Sequence, residues 1–170
     1  MKRKSRRGSE RPNIRLLVLD VDGVLTDGRL YFGADGEALK VFHVRDGLGI
    51  KLAQRAGIAV AVVSGRTSPA VVSRCRELDI AHLVQGCDDK LAAVSRLAAE
   101  LEISMNDVAC IVDDTSDLAL AVAVGLAFAV ADAHPDVKLA TRHVTKHAGG
   151  RGAVREVCDR LVLEALRAQA

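Results

Sequence analysis

An α/β domain built on a doubly wound parallel sheet is the fold specified by this 170-residue sequence. Three aliphatic runs, "IRLLVLD" (14–20), "IAVAVVSG" (58–65) and "VACIVDD" (108–114), are too short for helices and apolar on both faces, as strands buried in the middle of a parallel sheet must be. Between such runs lie segments with helical spacing, and the alternation persists almost to the C-terminus. Right-handed crossovers then put helices on both faces of the sheet.

The elements follow in order. Residues 1–12, "MKRKSRRGSERP", hold six Lys or Arg and one Glu without hydrophobic periodicity, and are expected to be a disordered basic tail ahead of a domain spanning 13–170. The formal charge of +2 belongs to that tail, because the remainder has 18 basic against 21 acidic residues. After the first strand comes a β-hairpin insertion, "RLYF" and "ALKVFHV", joined by "GADGE", whose Asp-Gly supplies a positive-φ turn. "GLGIKLAQRAG" has helical spacing and stops at Gly57, a left-handed C-cap. Then come the second long strand, the helix "SPAVVSRCREL", the strand "HLVQG" and the helix "KLAAVSRLAAEL". Strand "VACIVDD", helix "SDLALAVAVG" and strand "LAFAV" follow, then a short helix "HPDVKLA" and a terminal helix behind two flexible glycines.

Composition narrows the function. One Tyr, three Phe and no Trp leave too few stacking platforms for single-strand nucleic-acid binding. No run approaches the roughly 18 apolar residues of a membrane span, and the basic tail lacks the apolar core of a secretory signal. A cytoplasmic protein binding neither nucleic acid nor membrane is expected. Cys75, Cys87, Cys110 and Cys158 form no CxxC or Cys/His pattern, and read as plain thiols without assigned chemistry.

In a doubly wound sheet, ligands bind beyond the carboxyl ends of the strands, near the point where strand order reverses. The polar residues fall there. Asp20 and Asp22 end the first strand, Ser64 the second long one, and Asp113 and Asp114 a third, while Lys90 opens a helix able to reach the same crevice. Any one of these acids alone would be an ordinary cap or turn former. Together they crowd carboxylates that resist ionisation unless a hard cation neutralises them, and Mg²⁺, which takes carboxylates, waters and phosphate oxygens, suits the set. A hydroxyl, a lysine and the backbone N–H groups of the "DVDGV" turn complete a phosphate cradle. Gly23 lets that backbone approach an anion closely.

At these residues the chain resembles the haloacid dehalogenase superfamily. "DVDGVLTDG" resembles its first motif, "VVSGR" its second, Lys90 its third and "VDDTSD" its fourth, from about Ile14 onward. The strings "VFHVRDGLGIKLAQRAGI", "VADAHPDV" and "GGRGAVREVCD" are similar to the branch that dephosphorylates 3-deoxy-D-manno-octulosonate 8-phosphate (KDO 8-phosphate) in lipopolysaccharide biosynthesis. The resemblance implies a Rossmann-like sheet of that superfamily's type, with Asp20 as nucleophile and Asp22 as general acid and base. It further implies Mg²⁺ held by the Asp20 carboxylate, the Asp22 carbonyl and Asp113, with Asp114 or Asp117 acting through water. Ser64, Gly65 and Lys90 would bind the phosphoryl group. One departure is Val112, where the family usually has Gly before its paired aspartates; valine there raises the question of a shifted Asp113 and weaker Mg²⁺ binding.

No large cap domain fits between the motifs, so an open crevice calls for a neighbouring subunit as lid. The resemblance implies a homotetramer assembled through the hairpin, with adjacent subunits completing each site. Arg66 follows Ser64 and is expected to meet the phosphate or a sugar carboxylate. Arg151, in the Gly-hinged segment "GGRGAVRE", is expected to meet an anionic substrate in its own site or a neighbour's, although a solvated helix start explains it equally. His134, beside Pro135, reads as a cap, since imidazole suits Mg²⁺ poorly. Three readings stay open: a KDO 8-phosphate phosphatase, the same machinery on another sugar-acid phosphate such as a nine-carbon keto-sugar, and a non-enzymatic phospho-receiver. The last expects its acid pair at the first strand and its phosphorylated Asp mid-chain, the reverse of the order here.

Overall fold

The computed structural model describes residues 13–168; the basic tail expected at residues 1–12 lies outside them. A six-stranded sheet runs through these residues, formed by β1 (Leu16–Leu19), β4 (Ala59–Val63), β5 (His82–Val84), β6 (Val108–Val112), β7 (Leu126–Ala129) and β8 (His143–Val144). β2 (Tyr31–Gly33) and β3 (Gly36–Leu39) form a separate antiparallel hairpin. The helices are α1 (Val44–Arg55), α2 (Pro69–Glu77), α3 (Lys90–Glu100), α4 (Leu118–Ala123), α5 (Pro135–Ala140) and α6 (Ala153–Ala168).

The sheet order is β5-β4-β1-β6-β7-β8, and every pairing in it is parallel. β1, β6 and β7 are buried along their whole length, which accounts for their unbroken apolar composition. From β1 the chain steps outward through β4 to β5, then crosses back to β6 and steps the other way. The reversal lies between β1 and β6, so the tips of β4, β1 and β6 are neighbours at the place where a ligand belongs. α1 packs against α6, and α4 against α3 and α5, in keeping with right-handed crossovers that divide the helices between the faces.

Element boundaries depart from expectation mainly in the hairpin region. The turn is Ala34-Asp35, and β3 already begins at Gly36, whose φ of +111° supplies the expected positive-φ position. The second strand stops at Leu39; the stretch "VFHV" is not strand, because His43 turns the chain into α1, its Nδ1 accepting from Arg45 N at 3.2 Å. α1 therefore starts three residues earlier than the pattern "GLGIKLAQRAG" predicts. β8 was not anticipated, since two residues carry no periodicity.

The expected hinge at Gly149 and Gly150 is instead a wedge. A Cβ at Gly149 would lie 1.7 Å from the Gly23 carbonyl oxygen, and Gly150 N donates to Val24 O at 2.9 Å. Gly149 N also donates to Asp132 Oδ1 at 2.9 Å. The loop before α6 is thus pressed onto the turn that follows β1. Asp46 of α1 ties it down from the other side, accepting from Gly152 N at 3.3 Å and Arg155 N at 2.8 Å and so capping α6 across the chain.

Candidate active site

β1 ends at Leu19, and Asp20 follows as the first residue to leave the sheet, 9% exposed. Beyond it one wide, irregular turn, Val21–Leu25, brings Asp22 round to the same side. Thr26 closes that turn: its N donates to Val21 O at 3.0 Å, while its Oγ1 accepts from Gly23 N and Gly28 N at 3.4 and 3.3 Å. Gly23 has φ +95°, and a Cβ there would stand 2.0 Å from Asp113 Oδ2. The glycine is required twice, by the backbone and by the carboxylate beside it.

Ser64 sits directly past β4, buried, its Oγ accepting from Arg66 N at 3.2 Å. Asp113 follows β6, whose last residue, Val112, is paired in register with Ala129 and buried. Lys90 is the first residue of α3, aimed inward while Asp89 caps the helix by accepting from Ala92 N at 2.9 Å. Asp20, Asp22, Ser64, Gly65, Arg66, Lys90 and Asp113 all line one cleft of about 310 Å³, together with Cys87, Asp88, Asp114 and Ser116.

Charge organises the floor of the cleft. Lys90 Nζ lies 2.9 Å from Asp20 Oδ1 and 2.6 Å from Asp117 Oδ1. Burial opposes its charge, but the two carboxylates outweigh burial and hold the ammonium above its usual pKa. Burial, then repulsion from Asp20 and Asp117, pushes Asp113 up to about 8; burial and Asp20 push Asp117 up to about 6. Ligand oxygens of Asp20, Asp113 and Asp117 all lie within 4.8 Å of one another. Asp117 is wholly buried; its Oδ1 is paired with Lys90, and its Oδ2 has no hydrogen-bond partner. Three carboxylates against one ammonium, all-oxygen donors and a buried acid with one oxygen unpartnered fit a hard divalent cation. Of the two acids expected to assist through water, Asp117 joins this cluster; Asp114 instead accepts from Thr115 N at 2.6 Å.

The remaining predicted residues fall outside the floor. Arg66 is half exposed at the rim, its Nη2 3.2 Å from Glu37 Oε2 and its Nε 3.7 Å from Asp22 Oδ2. Arg151 does not line the cleft; its guanidinium is 3.5 Å from Asp27, just past the turn that follows β1. His134 caps α5, Nδ1 accepting from Asp136 N at 3.2 Å. Burial pushes the Cys75 and Cys158 thiols up to about 11 and 12 and raises Cys110 further, which leaves them inert. Cys87 lines the cleft, a placement its sequence context did not signal.

Sequence reasoning also missed two residues of the hairpin. Lys40 Nζ, its side chain 2% exposed, contacts Asp22 Oδ1 and lies 3.1 Å from Glu37 Oε2. A Glu and a Lys three apart read as an ordinary surface pair; only the fold of the hairpin onto the cleft turns them inward.

A family model of haloacid dehalogenase-like hydrolases matches residues 77–157. KdsC of Escherichia coli K12, a 3-deoxy-D-manno-octulosonate 8-phosphate phosphatase, is 53% identical over 151 residues, which is 89% of this chain and 80% of that protein. The chain belongs to the KDO 8-phosphate phosphatase family of haloacid dehalogenase-like hydrolases. Among solved members of the KDO 8-phosphate phosphatases, the Moraxella catarrhalis enzyme, in complex with magnesium, phosphate and KDO, is 39% identical with a TM-score of 0.87, covering 91% of this chain and 88% of that one. The cobalt-bound Haemophilus influenzae enzyme is 47% identical, with a TM-score of 0.87 and coverage of 90% and 89%. The chain shares its fold with these enzymes over most of its length, and among its described residues the sheet carries a hairpin after the first strand and no large cap.

Proposed function

We propose that the chain is a Mg²⁺-dependent phosphatase that hydrolyses KDO 8-phosphate to KDO and inorganic phosphate through an aspartyl-phosphate on Asp20. The observation that carries the proposal is the convergence of Asp20, Ser64 and Asp113 from three adjacent strand tips with Lys90 from the start of α3 and Asp117 from the turn before α4, in a chain 53% identical to an enzyme of that name.

The chain's own groups supply each step. Ser64 Oγ and the Lys90 ammonium grip the phosphoryl oxygens and orient phosphorus toward Asp20. A carboxylate oxygen of Asp20 forms a bond to phosphorus as the P–O bond to the sugar breaks, the electron pair leaving on the sugar oxygen. Asp22 gives that oxygen its proton. Asp22 then takes a proton from the water that attacks phosphorus, which frees phosphate and restores the Asp20 carboxylate. Asp20, the Asp22 carbonyl, Asp113 and Asp117 would hold Mg²⁺, which when bound supplies positive charge for the phosphoryl oxygens.

The cleft is open, and apolar side chains stand exposed along the hairpin and the start of α1: Leu30, Tyr31, Phe32, Leu39, Val41, Val44 and Leu48, with Phe32 65% exposed. Such a patch calls for a partner surface, and a homotetramer built through the hairpin supports closure of each site by neighbours. Arg151, exposed beside Asp27 and outside its own cleft, is read as serving an adjacent site in that assembly. Light scattering tests the assembly, with Phe32→Glu expected to shift it to smaller species. No described helix is long and apolar enough to cross a membrane, in keeping with a cytoplasmic enzyme.

Phosphate release over a set of sugar-acid phosphates, with and without Mg²⁺ and with Asp20→Asn, tests the activity. Metal-dependent release from KDO 8-phosphate, lost by several orders of magnitude in the variant, is expected. Preference for a nine-carbon keto-sugar phosphate, or a phosphoryl group retained rather than released, would overturn the assignment.

A further inference from the structure

We infer that Lys40, held by Glu37 on the hairpin, is the positioning residue that orients the Asp22 carboxylate toward the leaving group. The inference rests on the reading of Asp22 as general acid. Its ground is a chain of contacts outside the phosphate cradle, running from the core of the domain through the hairpin to one oxygen of Asp22.

Glu37 lies on β3, and both its oxygens are engaged. Oε1 accepts from Ser68 Oγ at 2.8 Å, and Oε2 meets Lys40 Nζ at 3.1 Å and Arg66 Nη2 at 3.2 Å. Ser68 is buried at the start of α2, its N donating to Gln85 Oε1 at 2.9 Å, so the chain is anchored in fixed structure. Burial works against ionisation of Glu37, but its bonds to Ser68, Lys40 and Arg66 prevail and keep it charged.

Lys40 then has nowhere to swing. Its side chain is 2% exposed, and the partners of its ammonium among the described residues are Glu37 and Asp22. An ammonium this buried is unfavourable without close carboxylates, so the pair fixes it and it fixes Asp22 Oδ1 in turn. A carboxylate with one oxygen held loses the freedom to rotate. Asp22 Oδ2 makes no hydrogen bond and is buried, with Arg66 Nε 3.7 Å away; with Oδ1 held by Lys40, it is the oxygen left to carry a proton. In the first chemical step the new bond is Asp20 oxygen to phosphorus, the broken bond is phosphorus to sugar oxygen, and the proton passes from Asp22 Oδ2 to that oxygen. Lys40 touches none of the reacting atoms; it sets the aim of the group that does.

Leaving groups separate this role from the alternatives. Departure of an alkoxide demands a proton, whereas p-nitrophenolate departs without one. The value of kcat/KM reports steps through departure of the leaving group, so it isolates this event from later hydrolysis. Lys40→Met, Lys40→Arg and wild type are compared on KDO 8-phosphate, propyl phosphate and p-nitrophenyl phosphate, with thermal melts alongside. The expected result is a loss on the order of 10²-fold on both alkyl esters, borne by kcat with KM little changed, and a loss under about threefold on the aryl ester. Lys40→Arg restores part of the alkyl activity.

Equal losses on all three substrates, or no loss, would overturn the inference. So would a loss confined to KDO 8-phosphate and expressed in KM, which would make Lys40 a sugar contact. Should Lys40→Met fail to fold, Glu37→Gln carries the same test, since it releases Lys40 without emptying its place. A wild-type protein that hydrolyses none of the three fails the phosphatase reading itself, which distinguishes that outcome from failure of the Lys40 role alone.

Discussion

Gly23 and the Asp113 carboxylate share one space: a Cβ on Gly23 would lie 2.0 Å from Asp113 Oδ2 and 2.5 Å from its Cγ. The tip of β1 and the tip of β6 are therefore interlocked at the place where metal and phosphate are to meet. Gly23→Ala must either displace Asp113 or distort a backbone at φ +95°. Strain of this kind costs about 1–3 kcal/mol, and a displaced carboxylate about 10²-fold in turnover. The expected outcome is a lowered melting temperature with a raised Mg²⁺ half-saturation concentration. A variant with wild-type metal dependence would show that Asp113 moves aside without consequence.

Gly149 transmits constraint from the far end of the chain. Its hypothetical Cβ would meet Gly23 O at 1.7 Å and Thr26 O at 3.0 Å, so Gly149→Ala pushes the turn after β1 out of place. Overpacking of this order costs about 1–3 kcal/mol, and activity is expected to fall with stability. Gly57→Ala is the control, with φ +84° and nothing within 4 Å of its Cβ. It bears left-handed strain of about 1–2 kcal/mol and keeps its activity. Melts and initial rates on both variants check the contrast, and equal activity in the two would remove any role for the wedge.

Most of the cleft was legible because its residues sit at strand ends, where sequence order and spatial position coincide. Asp20, Ser64 and Asp113 each directly follow a buried aliphatic run, and parallel pairing brings the three runs side by side. Lys90 was legible as the first residue of a helix that begins beside the same edge. Lys40 and Glu37 were not, because the hairpin pairs only with itself and has no register with the main sheet to place its side chains over the cleft. The glycines before α6 read as a hinge for a similar reason: composition records conformational freedom, not the carbonyl that occupies the space a side chain would need. The turn after β1 escapes periodic reading too, since five residues wound wide fit neither the strand nor the helix repeat.

Val112 stands where relatives of this chain were expected to carry Gly, and its surroundings decide what that means. The side chain is 1% exposed, and the strand continues in register to its pairing with Ala129. Asp113 keeps its place beside Asp20 and Asp117. Val112→Gly removes core packing and adds backbone freedom, a loss of about 2–4 kcal/mol. A lower melting temperature is expected with the Mg²⁺ half-saturation concentration unchanged within about twofold. A marked gain in metal affinity would show instead that valine does shift the carboxylate.

Mg²⁺ should stabilise the protein more as pH rises. Asp113 and Asp117 are raised to about 8 and about 6, first by burial and then by neighbouring carboxylates, against an unfolded value near about 3.9. Between the unfolded and folded values the native state holds protons that the unfolded chain has released. Metal-free stability therefore falls as pH rises from about 4 through about 8. A bound divalent cation replaces those protons and favours the ionised acids, so its stabilising increment grows over the same interval. Melting temperatures in EDTA and in saturating Mg²⁺, taken near about pH 5.5, 7 and 8.5, measure the increment directly, and Asp113→Asn should flatten its rise by removing the group with the higher pKa. An increment that is constant or shrinks with pH would mean that the cation does not bind among these carboxylates.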